Sequence, residues 1–265
     1  MAQRRVEEMM SACAASAPRL LNGTPDVIVS SMTHDSHQVR VGSLFCCIKG
    51  EKFDGHDFAA AAVERGAVAL LVQREIGDIS KEIPQIIVDE PRTCVGFAAA
   101  ELYGNPSRHL SLVGITGTNG KTTTAHLLAS ILKASGMQTE VIGTLSGSFT
   151  TPEAADLQRN FSEMLAHGTR AVAMEVSSHA LSLGRVNGTS FAACVFTNLG
   201  RDHLDFHGSE ENYFQTKARL FAHEFTSVGV VNADDVCGQR LLRESQISIV
   251  PFSMSDVDDL QVSAT

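Results

Sequence analysis

From about residue 110 onward the apolar residues fall into short runs separated by segments of helical spacing. Runs at 110–116, 140–143, 171–176, 191–197, 228–232 and 247–250 have the length and the Val, Ile, Ala and Phe content of buried strands. Between and beyond them, segments 121–135, 152–167, 210–223 and 235–243 carry the helical pattern, with apolar residues recurring three and four positions apart. Leu127, Leu128, Ile131 and Leu132 are the clearest case, and Gly136 follows them as a C-terminal stop. Strand and helix in alternation predict a parallel sheet covered by helices, an α/β domain of the P-loop type.

Residues 1–106 read as a separate, smaller α/β unit. An amphipathic start leads to Thr33-His34-Asp35-Ser36, and apolar runs at 44–48, 68–72 and 86–88 predict short strands. Segment 50–55 is a polar loop. A helix is predicted from about Phe58 to Arg65, stopped by Gly66, and another from Pro91 to about Tyr103. Gly104-Asn105-Pro106-Ser107 is the clearest linker signal. The expected domains are therefore 1–106 and 107–265. The second is expected to be truncated, because the chain stops soon after its last strand pattern.

Composition narrows the function. A 43% hydrophobic share is that of a globular chain with a core. A net charge of −9 argues against general nucleic-acid or membrane-surface binding, though not against a nucleotide held by local donors. No run is long and apolar enough to span a bilayer, and Arg4, Arg5, Glu7 and Glu8 near the start have no apolar core behind them, so no secretory signal is expected. The six cysteines have no C-x-x-C spacing and read as small buried hydrophobes in a reducing, cytoplasmic setting. A monomer is expected.

The chemistry concentrates at Gly114-Ile115-Thr116-Gly117-Thr118-Asn119-Gly120-Lys121-Thr122-Thr123. A strand precedes it and a helix follows, the context a phosphate loop needs. Glycines let backbone N–H groups approach an anion, and a helix N-terminus adds partial positive charge. Lys121 can reach terminal phosphates, and the Thr122 hydroxyl can hold Mg²⁺. The strict pattern has glycine where this chain has Ile115.

Other candidates sit where strands end. Glu175 closes the run from Ala171 and is either a Mg²⁺ ligand or a solvated strand-end acid. His203 lies between Asp202 and Asp205 after the run from Phe191, as a metal ligand or part of a polar loop. Lys217 shares a helix stripe with Tyr213, Leu220 and Phe221. It either snorkels or is buried and neutral, in which case it can take up CO₂ as a carbamate. Thr150-Thr151-Pro152-Glu153 reads as a helix start that caps the segment and can also meet an anion.

These motifs resemble the Mur ligase family, of the UDP-N-acetylmuramoyl-tripeptide synthetase type. The resemblance rests on Thr33 to Ser36, Asp54-Gly55-His56, Gly114 to Thr123, Thr150 to Gln158, Met174 to Leu181, Phe196 to Gly208 and Lys217. It implies a first domain that holds the uridine diphosphate end of the substrate, with Ser36, Glu51, Lys52 and Phe53 near it. It implies ATP at Gly117, Thr118, Asn119, Gly120, Lys121, Thr122 and Thr123, and Mg²⁺ on Thr122, Glu175 and His203. Lys217 would be N6-carboxylated, and catalytic roles would fall to Lys121, Lys217 and His203. Thr150, Thr151, Ser177 and Arg185 would contact the UDP-N-acetylmuramoyl-dipeptide. The implied reaction phosphorylates the D-glutamate side-chain carboxylate with ATP, and a diamino acid, L-lysine or meso-diaminopimelate, attacks the acyl phosphate.

Two departures qualify the resemblance. His37 stands where the family usually has arginine, and family members are about twice as long, with a C-terminal domain that selects the amino acid. The 265 residues alone are therefore expected to be inactive as a ligase. Alternatives are a truncated, non-catalytic nucleotide- or UDP-sugar-binding fragment, or another ligase of the superfamily such as a folylpolyglutamate or cyanophycin synthetase. Asp35-Ser36 and Asp54-Gly55-His56 argue against the last.

Overall fold

The computed structural model describes residues 3–50, 52–145 and 149–254. The chain divides into two compact units. The first comprises residues 1–106 together with 153–163 and 183–189, and the second comprises 107–152, 164–182 and 190 onward. A break falls at the expected linker, but two later segments also lie with the first unit.

In chain order the first unit has β1 (Arg4–Arg5), α1 (Val6–Ala12), β2 (Arg19–Leu21), β3 (Ile28–Val29), β4 (Ser31–Thr33), β5 (Ser43–Cys46), α2 (Ala59–Glu64), β6 (Ala67–Val72), β7 (Gln85–Ile87) and α3 (Pro91–Leu102). Its main sheet has the order β2-β7-β6-β5-β4, parallel except for β2 against β7. β1 and β3 pair separately and antiparallel.

The apolar run from Leu44 shows why this sheet is covered on both faces. Leu44 and Cys46 pack with Leu71 against Val6 and Met9 of α1 and Ala98 and Leu102 of α3. Phe45 and Cys47 pack with Leu70 and Val72 against Ala59 and Ala62 of α2. Successive side chains of a strand point to opposite faces, so a continuous apolar run serves two cores. Cys13, Cys46, Cys47, Cys94 and Cys194 are free and buried, and burial pushes the Cys47 thiol up to about 12.

The second unit is built on β8 (Ser111–Thr116), α4 (Lys121–Ala134), β9 (Thr139–Ile142), α5 (Ala154–Ala166, whose first ten residues cluster with the first unit), β10 (Ala171–Glu175), α6 (Ser178–Ser182), β11 (Ala193–Phe196), α7 (Leu204–His207), α8 (Glu210–Ala218), β12 (Val228–Asn232), α9 (Val236–Glu244) and β13 (Ser248–Phe252). The sheet order among the described residues is β13-β12-β11-β8-β10-β9, and every pair is parallel. β8 lies between β10 and β11, so the chain leaves it in one direction and returns on the other side. The register sets Glu175 of β10 beside Ile115 and Phe196 of β11 beside Thr116. The segments that follow these three strands therefore emerge together at the carboxyl edge, at a topological switch point.

All six strands read from the pattern in this unit are present. The differences are local. The helix expected over 152–167 runs from Ala154 to Ala166, and that expected over 210–223 ends at Ala218 and tightens into a 3₁₀ turn at Arg219–Phe221. The linker Gly104–Ser107 leads directly into a 3₁₀ turn, Pro106–His109, with Gly104 and Asn105 both at positive φ. β1 to β4 and the one-turn helices α6 and α7 were not legible, because two to five residues show no period. Among the described residues no helix is long and apolar enough to cross a membrane.

Candidate functional site

The loop between β8 and α4 is shaped by two glycines. Gly117 has φ +152, and a Cβ there would collide with the Thr197 hydroxyl. Gly120 has φ +85, a left-handed conformation that favours glycine, and hands the chain to α4 at Lys121. The segment after β11 braces this loop. Thr118 N–H donates to Asn198 O at 2.9 Å, Asn119 N–H donates to Asn198 Oδ1 at 3.0 Å, and Thr197 Oγ1 donates to Asn119 O at 2.7 Å. The amides of Thr118 and Asn119 thus hold the loop's shape. The donors a helix start leaves without intrahelical partners are those of the first turn of α4.

Lys121 Nζ folds back over the loop and donates to Gly117 O at 2.8 Å and to Thr118 O at 2.9 Å. Burial lowers its pKa, opposed by the negative charge of Glu175 and Asp202. Thr122 Oγ1 donates to Glu175 Oε2 at 3.0 Å, so these two sequence candidates meet. Thr123 is exposed. Glu175 itself is 1% exposed, and its other oxygen accepts the Thr144 N–H at 3.0 Å. Thr118–Thr122, Thr144, Thr150, Glu175, Ser177, His203 and Lys217 are among the residues lining a cleft of about 300 Å³ in the second unit.

Lys217 does not snorkel. It is 1% exposed, with Nζ 2.9 Å from Gly117 O and 4.6 Å from the centroid of the Tyr213 ring. Its pKa falls to about 7, first through burial and then through the nearby Lys121 ammonium. A substantial neutral fraction at pH 7 makes its amine nucleophilic. Tyr213, also 1% exposed, is bonded to Thr118 Oγ1 at 3.2 Å and so ties α8 to the phosphate loop.

His203 begins α7 with φ +51, and its side chain is 46% exposed beside Asp202, with Nε2 3.5 Å from Oδ2. Its ring meets the His179 ring edge-on at 4.9 Å. It lines the same cleft as Thr122 and Glu175 but makes no hydrogen bond to either in the geometry described. Among the described residues no group of three or more His, Cys, Asp or Glu side chains is gathered to hold a metal unaided. Mg²⁺ asks for less, since it takes one or two protein oxygens and completes its shell with phosphates and water. A buried carboxylate beside the Thr122 hydroxyl, at a phosphate loop, fits that ion.

Thr151 is fully buried. Its hydroxyl donates to Glu175 O at 3.0 Å and accepts from Ser177 N–H at 3.1 Å, tying the segment before α5 to the end of β10. Thr150 and Ser177 face the cleft, while Arg185 belongs to the first unit, where Nη2 lies 2.6 Å from Glu153 Oε1.

In the first unit, Ser36 opens a 3₁₀ turn capped by Asp35, which accepts the His37 N–H at 2.8 Å. Arg65 donates to Ser36 O at 3.1 Å, bringing a guanidinium to the segment that carries His37. Lys52 is exposed and Phe53 is 71% exposed, with its ring 6.2 Å from that of Phe58. Glu51 lies outside the described residues.

Asp54-Gly55-His56 proves to be a brace. Asp54 Oδ1 accepts the His56 N–H at 3.0 Å and lies 2.6 Å from His56 Nδ1, Arg74 reaches Oδ2 at 3.1 Å, and His56 Nε2 accepts the Gln73 N–H at 3.0 Å. That acceptor places the imidazole proton on Nδ1. The His56 N–H, the first cause, then the His56 ring and Arg74, hold the Asp54 carboxyl well below the usual carboxylate range. Asp54→Ala removes these acceptors and is expected to destabilise the chain by about 1–3 kcal/mol, read by urea unfolding at pH 7. Because the carboxyl pKa is depressed on folding, that contribution is present above the unfolded pKa and fades as pH falls below about 4. An unchanged unfolding midpoint at pH 7 would refute the brace.

Sequence reading missed Gly143, Thr144, Thr197 and Asn198. The last two follow β11 as Glu175 closes β10, and that placement was the available signal.

Residues 115–264 match the Mur ligase middle domain, and residues 28–93 match the Mur ligase family catalytic domain. The chain is 43% identical over 233 residues to the UDP-N-acetylmuramoyl-L-alanyl-D-glutamate–2,6-diaminopimelate ligase of Aquifex aeolicus, covering 84% of this chain and 48% of that one. It is 40% identical over 254 residues to the same ligase of Geobacillus thermodenitrificans, covering 90% and 51%. A solved structure of such a ligase superposes with a TM-score of 0.81 at 26% identity, over 97% of this chain and 54% of that one. A MurF structure from Acinetobacter baumannii, at 22% identity and a TM-score of 0.69, shares the fold. The chain spans about half the length of the curated relatives it matches.

Proposed function

The chain belongs to the Mur ligase family, and from that membership we propose that it forms the nucleotide- and UDP-sugar-binding part of an ATP-dependent amide ligase of peptidoglycan synthesis. The substrates are ATP, UDP-N-acetylmuramoyl-L-alanyl-D-glutamate and a diamino acid. The names of the relatives favour 2,6-diaminopimelate over lysine. The observation that carries the reading is the phosphate loop with Lys121 folded over it and Thr122 bonded to Glu175 at the same sheet edge.

In this reading the first turn of α4 and Lys121 bind the β- and γ-phosphates of ATP. Mg²⁺ would be held by Thr122 and Glu175, with His203 at the lip of the cleft, and would neutralise charge that develops on the phosphates. The D-glutamate carboxylate attacks the γ-phosphorus and ADP leaves. The amine of the diamino acid then attacks the acyl phosphate, forming the amide and releasing phosphate. Thr150 and Ser177 orient the acceptor in the second unit, and Thr151, buried behind them, holds Ser177 in place. Ser36, Lys52 and Phe53 in the first unit are assigned to the uridine end, and Arg185 to the muramoyl dipeptide. Catalysis is positioning and charge neutralisation.

Lys217 completes the reading. Its neutral amine adds to CO₂, forming an N–C bond and releasing a proton. The product is a carbamate anion in place of a second ammonium beside Lys121. The reversed sign suits a cleft that receives a cation.

Titration calorimetry of the purified chain with ATP, with and without Mg²⁺, and then with UDP-N-acetylmuramoyl-dipeptide tests the proposal. Binding of both is expected, with ATP bound more tightly when Mg²⁺ is present. Amide formation by these 265 residues alone is not expected, given the greater length of the relatives. Failure to bind either ligand by a folded sample would overturn the reading.

A further inference from the structure

Glu175 ends a buried strand, and three donors reach its carboxylate. One is Thr122 Oγ1, at 3.0 Å. The other two belong to one residue after β9, Thr144, whose N–H donates to Oε1 at 3.0 Å and whose Oγ1 donates to Oε2 at 3.3 Å. Two bonds from one residue, one to each oxygen, define the plane of the carboxylate as well as its place. The residue before it makes room. A Cβ on Gly143 would overlap the Glu175 carboxylate, and Gly143 has an ordinary φ, so the close approach rather than backbone conformation calls for glycine there. Thr144 Oγ1 also lies 3.1 Å from Thr150 Oγ1. A hydroxyl has one proton. When Thr144 donates to Glu175 it accepts from Thr150, so a row of hydroxyls leads from Thr150 to the carboxylate that faces Thr122.

We propose that Gly143-Thr144 is the positioning element for Glu175, holding the carboxylate toward Thr122 and coupling it to Thr150. Thr144 touches neither nucleotide nor metal in this scheme, and acts through Glu175. The proposal rests on the reading above, in which Glu175 and Thr122 hold the divalent ion. Without the Thr144 hydroxyl the carboxylate keeps one donor on each oxygen, and because its terminal torsion is soft its plane is held less tightly. That looseness would weaken the binding of an ion that needs near-ideal octahedral geometry.

The test uses the purified chain, with Mn²⁺ as a paramagnetic probe in the presence of ADP, and crystal structures of the variants. Thr144→Val keeps the backbone donor and removes the hydroxyl. It is expected to weaken Mn²⁺ binding by about 2- to 10-fold, the effect of one hydrogen bond, without changing metal-free ADP affinity. Thr144→Ser restores both oxygens' donors and is expected to bind Mn²⁺ as the wild type does. Gly143→Ala is expected to lose more than Thr144→Val, because the added methyl displaces the carboxylate. The crystal structure of Thr144→Val should show the Glu175 carboxylate rotated out of its wild-type plane. A carboxylate in its wild-type plane in that structure overturns the positioning proposal, as does wild-type Mn²⁺ affinity in Thr144→Val when Glu175→Gln has lost it. Wild-type Mn²⁺ affinity in Glu175→Gln instead sinks the metal reading, and the Thr144→Val structure then decides the positioning claim by itself.

Discussion

Lys121→Ala is expected to lower the affinity of the chain for MgATP by roughly 10- to 100-fold, with the fold intact. The ammonium donates to two carbonyls of its own loop, Gly117 O and Thr118 O. An arriving phosphate offers it anionic oxygens in their place, and hydrogen bonds to charged groups are worth about 1.5–3 kcal/mol. At about 1.4 kcal/mol per tenfold, that range gives the expected loss. Stability should hold, for two reasons. Alanine is the best helix former at the start of α4. Gly117 O also keeps Lys217 Nζ as a donor at 2.9 Å, and Thr118 O, which loses the Lys121 bond, belongs to a half-buried residue on the cleft, where water can replace the donor. Calorimetry and a thermal melt together decide the matter. Wild-type affinity in the variant would remove Lys121 from the phosphate site, and a collapsed melt would mean that the lysine is structural.

Lys217→Met is expected to stabilise the chain at pH 6–7 and to lose that advantage as the pH approaches 10.5. The unfolded lysine titrates near 10.5, while burial brings the folded one down to about 7. Between those values the unfolded chain binds the extra proton, so the stability of the wild type rises with pH across that window. Below pH 7 the full burden of the buried charge is present. Each pH unit between the two values is worth about 1.4 kcal/mol, which caps the burden at about 5 kcal/mol. Methionine has a similar length and no charge. Its pH-independent cost is the bond to Gly117 O and the contact with the Tyr213 ring, and it appears as a constant offset. Urea unfolding at pH 6, 7.5 and 9 in CO₂-free buffer separates offset from slope. Equal pH dependence in both proteins would show that Lys217 keeps an ordinary pKa, and the carbamate reading would lose its basis. Bicarbonate should stabilise the wild type alone, since a carbamate removes the repulsion from Lys121.

The residues of the phosphate loop were legible because their signal is local. Glycine spacing, a strand before and a helix after all fall within about two dozen residues, and Gly117 and Gly120 do adopt the positive φ values that the motif implies. Thr144 was not legible, since nothing around it is periodic and its partner Glu175 is 31 positions away. Tyr213 and Lys217 stood out as a helix stripe. Their partners, Thr118 and Gly117, lie 95 and 100 positions upstream, beyond the reach of any periodic pattern. For the same reason Thr151, read as a helix cap, is found bonded to the end of β10, and His203 is found beside His179.

The sequence by itself determined the six strands and the longer helices of the second unit, its parallel sheet and the phosphate loop, because period and glycine placement report local backbone and exposure. The strand order was decided by tertiary structure. Each crossover buries a helix against the sheet, and many orders satisfy the same pattern of buried and exposed positions. Only the order that sets β10 and β11 on either side of β8 delivers Glu175 and Asn198 to the loop. The state of Lys217 was decided in the same way. An amphipathic stripe is compatible with a snorkelling lysine and with a buried one, and the packing of α8 against the phosphate loop removed the water that the charged form needs.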